Sequence, residues 1–307
     1  MIGICGTEFY IPEKRKSNYK YKKEFNLSDN FIENKIGVAS VSRIDPGQNT
    51  SDMCCSVFKK LITNNANLNP DEINVLVVCT QNPDYSLPHT SAIVHGKLNL
   101  PETVAAFDIS IGCSGYVYAL AVIESLMQVS QMKNGLLFTA DPYSKIIYED
   151  DKNTALLFGD AATVTHIGID PIFACGKFTF GTRGKDFMHL ICRDNKLEMN
   201  GREIFNFAVK TVPVDIKRVL EINNLKINDI DRFLLHQGSK YLIDFLIKRI
   251  GLPKEKTPYV IRDYGNTVSS SIPIMLKKIV SDKTIKRVLI SGFGVGLSWA
   301  STILTRN

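Results

Sequence analysis

Apolar, largely β-branched runs recur along the chain at 75–79, 104–107, 136–139, 232–235 and 287–290. Polar or turn residues bound them, and each run predicts a strand. The opening stretch 1–12, Met-Ile-Gly-Ile-Cys-Gly-Thr-Glu-Phe-Tyr-Ile-Pro, reads as a further strand. Between these runs apolar positions return at helical spacing over 53–65, 115–133, 214–223, 241–250 and 270–280. Strands alternating with helices predict an α/β protein with layered, largely parallel sheets.

The order of elements is stated twice. One helix ends in Asn-Ala-Asn-Leu68, followed by Asn-Pro-Asp-Glu-Ile73 and a strand ending at Cys79. A later helix ends in Asn-Asn-Leu225, followed by Lys-Ile-Asn-Asp-Ile230 and a strand ending at His236. Leucine and strand end are 11 residues apart in both. A strand, a sharp turn and a helix come next, first at Ala-Phe-Asp-Ile-Ser-Ile-Gly-Cys113-Ser-Gly and then at Val-Ile-Arg-Asp-Tyr-Gly-Asn266-Thr-Val. Each copy closes on a strand and a small-residue turn, Leu-Phe-Gly-Asp-Ala-Ala-Thr-Val-Thr and Ile-Ser-Gly-Phe-Gly-Val-Gly-Leu-Ser. The repeat predicts two similar halves, 1–168 and 169–307. Sites in open α/β sheets lie beyond the carboxyl ends of strands. Two halves packed face to face would therefore bring Cys113, His236 and Asn266 to one cavity.

Composition narrows the class. The 307 residues are 44% hydrophobic and 22% charged, enough for a sizeable core. No apolar run approaches the roughly 20 residues that span a bilayer, and the N-terminus lacks the pattern of a signal peptide. Seven cysteines without a Cys-x-x-Cys pair point to free thiols in a reducing, cytoplasmic setting. The net charge of +6 suits phosphate-bearing substrates and acidic carrier proteins as well as nucleic acid. The basic cluster 14–23, interleaved with Tyr19 and Tyr21, is followed by no nucleic-acid motif and reads as a solvated loop.

Cys113 lies among small residues before an apolar helix. A tight turn there would let a substrate reach the sulfur, and the helix N-terminus would favour thiolate and supply N–H donors to an oxyanion. Its bland alternative is a small core residue. His236 ends an apolar strand, where a histidine is either structural or a cavity group. Asn266 is a left-handed turn residue, a helix cap or an amide donor. His89, His95, His166 and His189 show no metal-ligand spacing, and no metal is expected.

At these residues the sequence resembles the ketoacyl synthase III family of condensing enzymes in the thiolase superfamily, over nearly the whole chain. Asp-Ile-Ser-Ile-Gly-Cys113-Ser-Gly is similar to the family's nucleophile segment, Leu-Leu-His236-Gln237 to its His-Gln-Ala-Asn motif, and Tyr-Gly-Asn266-Thr to its Gly-Asn-Thr motif. Phe-Gly-Asp160-Ala-Ala and Gly-Phe-Gly-Val-Gly-Leu-Ser-Trp299 match further segments. The resemblance implies a duplicated thiolase-like fold of five layers, α/β/α/β/α, and a homodimer. It implies no tightly bound cofactor, a coenzyme A thioester as substrate, and an acyl carrier protein as partner. Cys113 would take the acyl group, and backbone N–H groups of Cys113 and Val295 would hold the oxyanion. His236 and Asn266 would stabilise the enolate of a malonyl thioester as carbon dioxide leaves. Phe293 would pack beside the thiol, and Leu87 would line the acyl pocket of a second subunit.

The departures from the family pattern fall around the site. Gly238-Ser239 follow His-Gln in place of Ala-Asn. Phe31 and Lys35 stand where the family's starter enzymes hold adenine with Trp and Arg, and Lys152 replaces another coenzyme-binding Arg. Asn206 and Tyr241 replace two basic carrier-binding residues, with Lys240, Lys248, Arg202 and Lys210 nearby as substitutes or as an ordinary solvated face. Two alternatives to condensation stay open at this level. One is acyl transfer from Cys113 to an oxygen or nitrogen nucleophile with His236 as base. The other is a non-catalytic carrier-binding scaffold that keeps the fold.

Overall fold

The computed structural model describes residues 1–65 and 68–307. Ala66 and Asn67, inside the Asn-Ala-Asn-Leu68 segment of the predicted repeat, lie outside the described residues. The strands in chain order are β1 (Gly3–Tyr10), β2 (Arg15–Ser17), β3 (Ser40–Ser42), β4 (Val75–Cys79), β5 (Ala105–Ile109), β6 (Asn134–Ala140) and β7 (Ala162–Gly168). They continue with β8 (Phe173–Cys175), β9 (Thr179–Thr182), β10 (Leu190–Arg193), β11 (Lys196–Met199), β12 (Arg232–Leu235), β13 (Arg287–Gly294) and β14 (Ser298–Arg306). The α-helices are α1 (Thr50–Asn64), α2 (Thr90–Leu98), α3 (Gly115–Val129), α4 (Lys152–Ala155), α5 (Gly201–Ile222), α6 (Lys240–Ile250) and α7 (Ser271–Ile279).

The long strands form two groups. In the first the order is β5-β4-β6-β7-β1, with β4 parallel to both β5 and β6 and the remaining pairs antiparallel. In the second, β12 runs parallel to β13, β13 pairs antiparallel with β14, and β8 and β9 both pair with β14. The groups meet through the pair Ile4–Phe173. Helices α1 and α2 pack on the first group and α5 on the second, with α6 beside α5, while α3 and α7 touch both groups. The result is five layers, α/β/α/β/α.

The strands read as unbroken apolar runs because both of their faces are covered. Val75 and Val77 of β4 point into the core around α3 and α7, whereas Leu76 and Val78 point to the core under α1. Leu234 of β12 and Val288 and Ile290 of β13 face the same central core, and Phe233, Leu235 and Leu289 face α5 and α6. Burial of each such side chain is worth about 1.5–3 kcal/mol, which fixes the strand ends that carry the site.

β4 and β12 have the predicted bounds, and most other elements differ at their ends. Helix α5 departs more, because it begins at Gly201 and not near 214. Pro213 lies inside it, where a proline ordinarily marks a boundary. Phe207, Ala208 and Val212 pack into the core on the N-terminal side of that proline and hold the helix through it. The stretch 258–262 before Asn266 forms no strand. Its Val260 N–H is taken by the Gln237 side chain at 3.1 Å, in place of a ladder. The basic cluster 14–23 is also not a simple loop. It holds β2, paired with β3, and a 3₁₀ turn whose buried Asn18 donates to the Val38 and Leu156 carbonyls at 2.8 Å each.

Candidate active site

Cys113 sits two residues ahead of α3, with Ser114 between. The helix entry is tied down by Gly115 N–H to the Gly112 carbonyl at 2.7 Å. Opposite the sulfur runs the end of β13. A Cβ on Gly294 would stand 2.7 Å from both Cβ and Sγ of Cys113, so only glycine lets the two chains approach this closely. That approach brings the Val295 N–H to the thiol, beside the N–H of Cys113 itself. Two backbone donors therefore converge where an oxyanion on a Cys113 thioester would form. Gly294→Ala is expected to push β13 off the sulfur and slow acylation about 10²–10³-fold, at a stability cost of roughly 1–3 kcal/mol. Single-turnover kinetics beside a urea melt would check both.

Cys113 rests as a thiol. Burial pushes Cys113 up to about 12, against the smaller opposing pull of the Val295 N–H. The expectation that the helix N-terminus favours thiolate is corrected here, because loss of water around the sulfur outweighs the dipole. Alkylation of Cys113 by iodoacetamide should thus climb about tenfold per pH unit from roughly pH 7 to 9. Peptide mapping would check this, and a plateau below that range would mark a stabilised thiolate.

His236 follows β12, and its N–H continues that ladder to the Ser291 carbonyl at 2.8 Å. The side chain is 3% exposed, and its ring stands edge-on to Phe293 with centroids 5.6 Å apart. Burial lowers its pKa to about 3, so the imidazole is neutral at working pH. Nδ1 lies 2.8 Å from the Ser271 hydroxyl at the start of α7. Sequence reasoning missed Ser271. Its only signal there was the run of three serines after Asn266-Thr-Val. Gln237, also buried, donates to the Leu235 and Pro258 carbonyls and braces the loop that leads to Asn266.

Asn266 is held on both sides. Its backbone N–H donates to the Leu157 carbonyl at 2.8 Å, and its carbonyl accepts from Gly159 at 2.9 Å. Left-handed backbone falls on Gly265 and Val268 and not on Asn266. The side-chain Oδ1 accepts from Val268 N–H at 2.9 Å, so the amide has a fixed sense and its Nδ2 protons remain as donors.

Cys113, His236, Asn266 and Phe293 all line one cavity of about 1030 Å³. Phe31, Lys35, Lys152 and Arg202 line it too. The Lys152 ammonium lies 4.8 Å above the Phe31 ring, and Lys35 lies 5.7 Å from the Tyr241 ring. An adenine stacking on Phe31 would use the opposite face or displace Lys152. Phe205 stacks on Tyr241 at 5.3 Å and meets Phe245 edge-on at 5.2 Å, an aromatic cluster that sequence reasoning did not find. Of the four basic residues weighed for a carrier surface, Arg202 reaches the cavity. Lys240 is ion-paired with Asp244, and Lys210 and Lys248 are exposed along α5 and α6 away from the lining. Leu87 is 86% exposed and does not line the cavity of its own chain. Among the described residues no group of three or more His, Cys, Asp or Glu side chains forms a metal site, and no helix is long and apolar enough to cross a membrane.

Sequence comparison places this geometry. The family model for 3-oxoacyl-[acyl-carrier-protein] synthase III matches residues 107–184, and the model for the C-terminal part of that enzyme matches residues 220–306. The β-ketoacyl-[acyl-carrier-protein] synthase III of Lactococcus lactis is 34% identical, over 98% of both chains. The chain belongs to the ketoacyl-acyl-carrier-protein synthase III family. The enzyme of the same description from Streptococcus mutans is also 34% identical, over 98% of each. Among solved structures, the synthase III of Thermus thermophilus superposes with a TM-score of 0.91 at 30% identity, over 99% of both chains. The Aquifex aeolicus enzyme gives 0.92 at 28%, over 99% of this chain and 100% of that one. The fold is that of the thiolase-like synthase III enzymes, and family membership makes this ketoacyl synthase III relative a condensing enzyme of the transferase class.

Proposed function

We propose that this family member loads an acyl group from acyl-coenzyme A onto Cys113 and condenses it with a malonyl thioester, carried by an acyl carrier protein, in fatty-acid or related acyl-chain synthesis. One observation carries the reading. A thiol, a neutral imidazole and an oriented carboxamide from three distant stretches of chain open into a single cavity that cations and aromatic rings also line.

In the first half-reaction the Cys113 sulfur attacks the thioester carbonyl. The thiol proton leaves with the coenzyme A sulfur, and the Cys113 and Val295 N–H groups hold the transient oxyanion. Phe31, Lys35 and Lys152 would seat the nucleotide end of coenzyme A, which comes and goes as substrate and not as a tightly bound cofactor. In the second half-reaction the malonyl thioester carbonyl accepts hydrogen bonds from His236 Nε2 and Asn266 Nδ2. Carbon dioxide departs, its bonding electrons become the enolate, and the enolate carbon attacks the Cys113 thioester and releases the thiolate. This role needs Nε2 protonated, so Ser271 would donate to Nδ1. An imidazole with a pKa of about 3 is a poor general base, which weighs against acyl transfer to an oxygen or nitrogen nucleophile.

The remaining assignments belong to the same proposal. Arg202, Lys210 and Lys248 would face an acidic carrier, with Lys240 contributing if Asp244 releases it. The enzyme would work in the cytoplasm as a homodimer of chains each built from the halves 1–168 and 169–307. Among the described residues strand β5 ends its group with one edge unpaired, and Tyr85 and Leu87 are exposed. Such an edge is a template for pairing with a second copy, which would deliver Leu87 to the neighbouring acyl pocket. The test is to acylate the enzyme, add malonyl-carrier protein and measure carbon dioxide with the ketoacyl product. Release in equal amounts is expected. Acylation of Cys113 without decarboxylation over several malonyl donors would reject the condensing reading.

A further inference from the structure

We propose that a second cavity, separate from the one that holds Cys113, binds a phosphate-bearing small molecule through Arg15, Arg43 and Lys145. The inference does not depend on the acyl-transfer reading.

This cavity measures about 610 Å³, a size that seats a small organic ligand. Its cations are Lys14, Arg15, Lys16, Arg43 and Lys145, and its carboxylates are Asp45 and Glu149. Glu149 is engaged by the Lys16 ammonium and accepts from the Tyr21 hydroxyl at 2.5 Å. With that ion pair set aside, four cations remain against Asp45. Glu13 and Asp263 act on Arg15, and Asp52 on Lys145, but none of these three lines the cavity. A concave wall with one sign of charge in excess concentrates the opposite ion.

Arg43 alone among the five cations is buried, at 7% exposure. Its guanidinium donates to the carbonyls of Phe158 at 2.7 Å, Ala155 at 3.1 Å and Ser42 at 3.1 Å. Its Nε has no hydrogen-bond partner among the described residues. No carboxylate lies within ion-pair distance of it there either. Glu149 and Asp160 feel its charge only from farther off. A buried cation with no close counter-ion is costly, and an anion in the cavity would supply one. At the rim the Lys145 ammonium donates to Asn49 Oδ1 at 2.8 Å and keeps two further protons to give. A phosphate, with several charged oxygens, can answer more of these cations than a carboxylate can.

The two cavities share no lining residue. Between the Ala155 and Phe158 carbonyls that Arg43 holds stand Leu156 and Leu157, which line the Cys113 side. The segment 155–158 is thus a wall between them, and an anion on the Arg43 side would sit behind the catalytic cavity and not in it.

The test is calorimetric titration of the full-length protein with pyrophosphate, at ionic strength held constant with sodium chloride. A Lys35→Ala, Lys152→Ala background removes two cations of the Cys113 cavity, so that the second cavity is the one read. Saturable binding of one pyrophosphate per chain is expected on that background. Adding Lys145→Ala or Arg15→Ala, both exposed positions, should weaken it about tenfold each, the loss of one charge-assisted hydrogen bond. Lys145→Arg should retain it. Pyrophosphate bound by the unmodified protein but lost on the background would assign the anion to the Cys113 cavity and overturn the inference. Affinity unmoved by both added alanines would overturn it as well. So would cosedimentation with phosphatidic-acid vesicles in the absence of any pyrophosphate binding, which would make the cations a lipid-facing surface.

Discussion

Cys113→Ala is expected to abolish the acyl-enzyme, with no mass increase after acyl-coenzyme A treatment, and to lower condensation by at least about 10³-fold. The substitution removes the sulfur and little volume, so the N–H groups of Val295 and residue 113 stay in place. His236 and Asn266 are untouched. Slow decarboxylation of the malonyl donor should therefore persist without a ketoacyl product. Intact mass and carbon dioxide release, measured on one preparation, separate the two steps. An acyl adduct retained on the variant would place the nucleophile elsewhere, and the six other cysteines would need testing in turn.

His236→Ala and Asn266→Ala should leave acylation of Cys113 in place and slow condensation about 10²–10³-fold each, the usual cost of one donor to a developing oxyanion. The double variant should lose less than the product of the two, because both donors serve one oxygen. Asn266→Asp sharpens the test. It keeps an oxygen for Val268 N–H, and so keeps the local turn, but it turns an acceptor toward the cavity. It should condense as poorly as Asn266→Ala while melting closer to the parent. Equal loss of acylation and condensation in the histidine and asparagine variants would argue that these residues serve the sulfur and not the enolate. The pH dependence of condensation offers a further reading. With His236 lowered to about 3, no loss of rate between pH 8 and pH 5 should trace to its protonation.

Much of the fold was legible in the sequence, for reasons visible in particular residues. β4 is apolar at every position and β12 at all but its first residue, Arg232, because each is covered on two faces. The turn that carries Cys113 could be read from Gly112, Ser114 and Gly115, whose small size the close packing around Cys113 demands. The first three turns of α5 were hidden behind Pro213, since a local rule cannot weigh the core contacts of Phe207 and Val212. The strand expected before Asn266 fails because Gln237, far along the chain, supplies the hydrogen bond that a ladder would have made. The thiolate expectation failed for a related reason. Helix position is local and legible, whereas the desolvation that overrides it comes from residues brought in by the whole fold. Ser271 beside His236 and the Phe205–Tyr241 stack are products of tertiary placement, and the first left only a run of three serines as its signal.

If Cys113 is the nucleophile, its contact with Gly294 ties reactivity to the seam between the two sheet groups. The sulfur hangs from one side of that seam, and the Val295 amide that would steady a tetrahedral adduct hangs from the other. Any breathing that widened the seam by the width of a methyl group would uncouple attack from charge stabilisation without disturbing either side alone. On the proposed mechanism, catalytic rate would be a gauge of how tightly the two sheet groups are clasped, and a mutation remote from the cavity that loosens the clasp would register as lost turnover before it registered as lost structure.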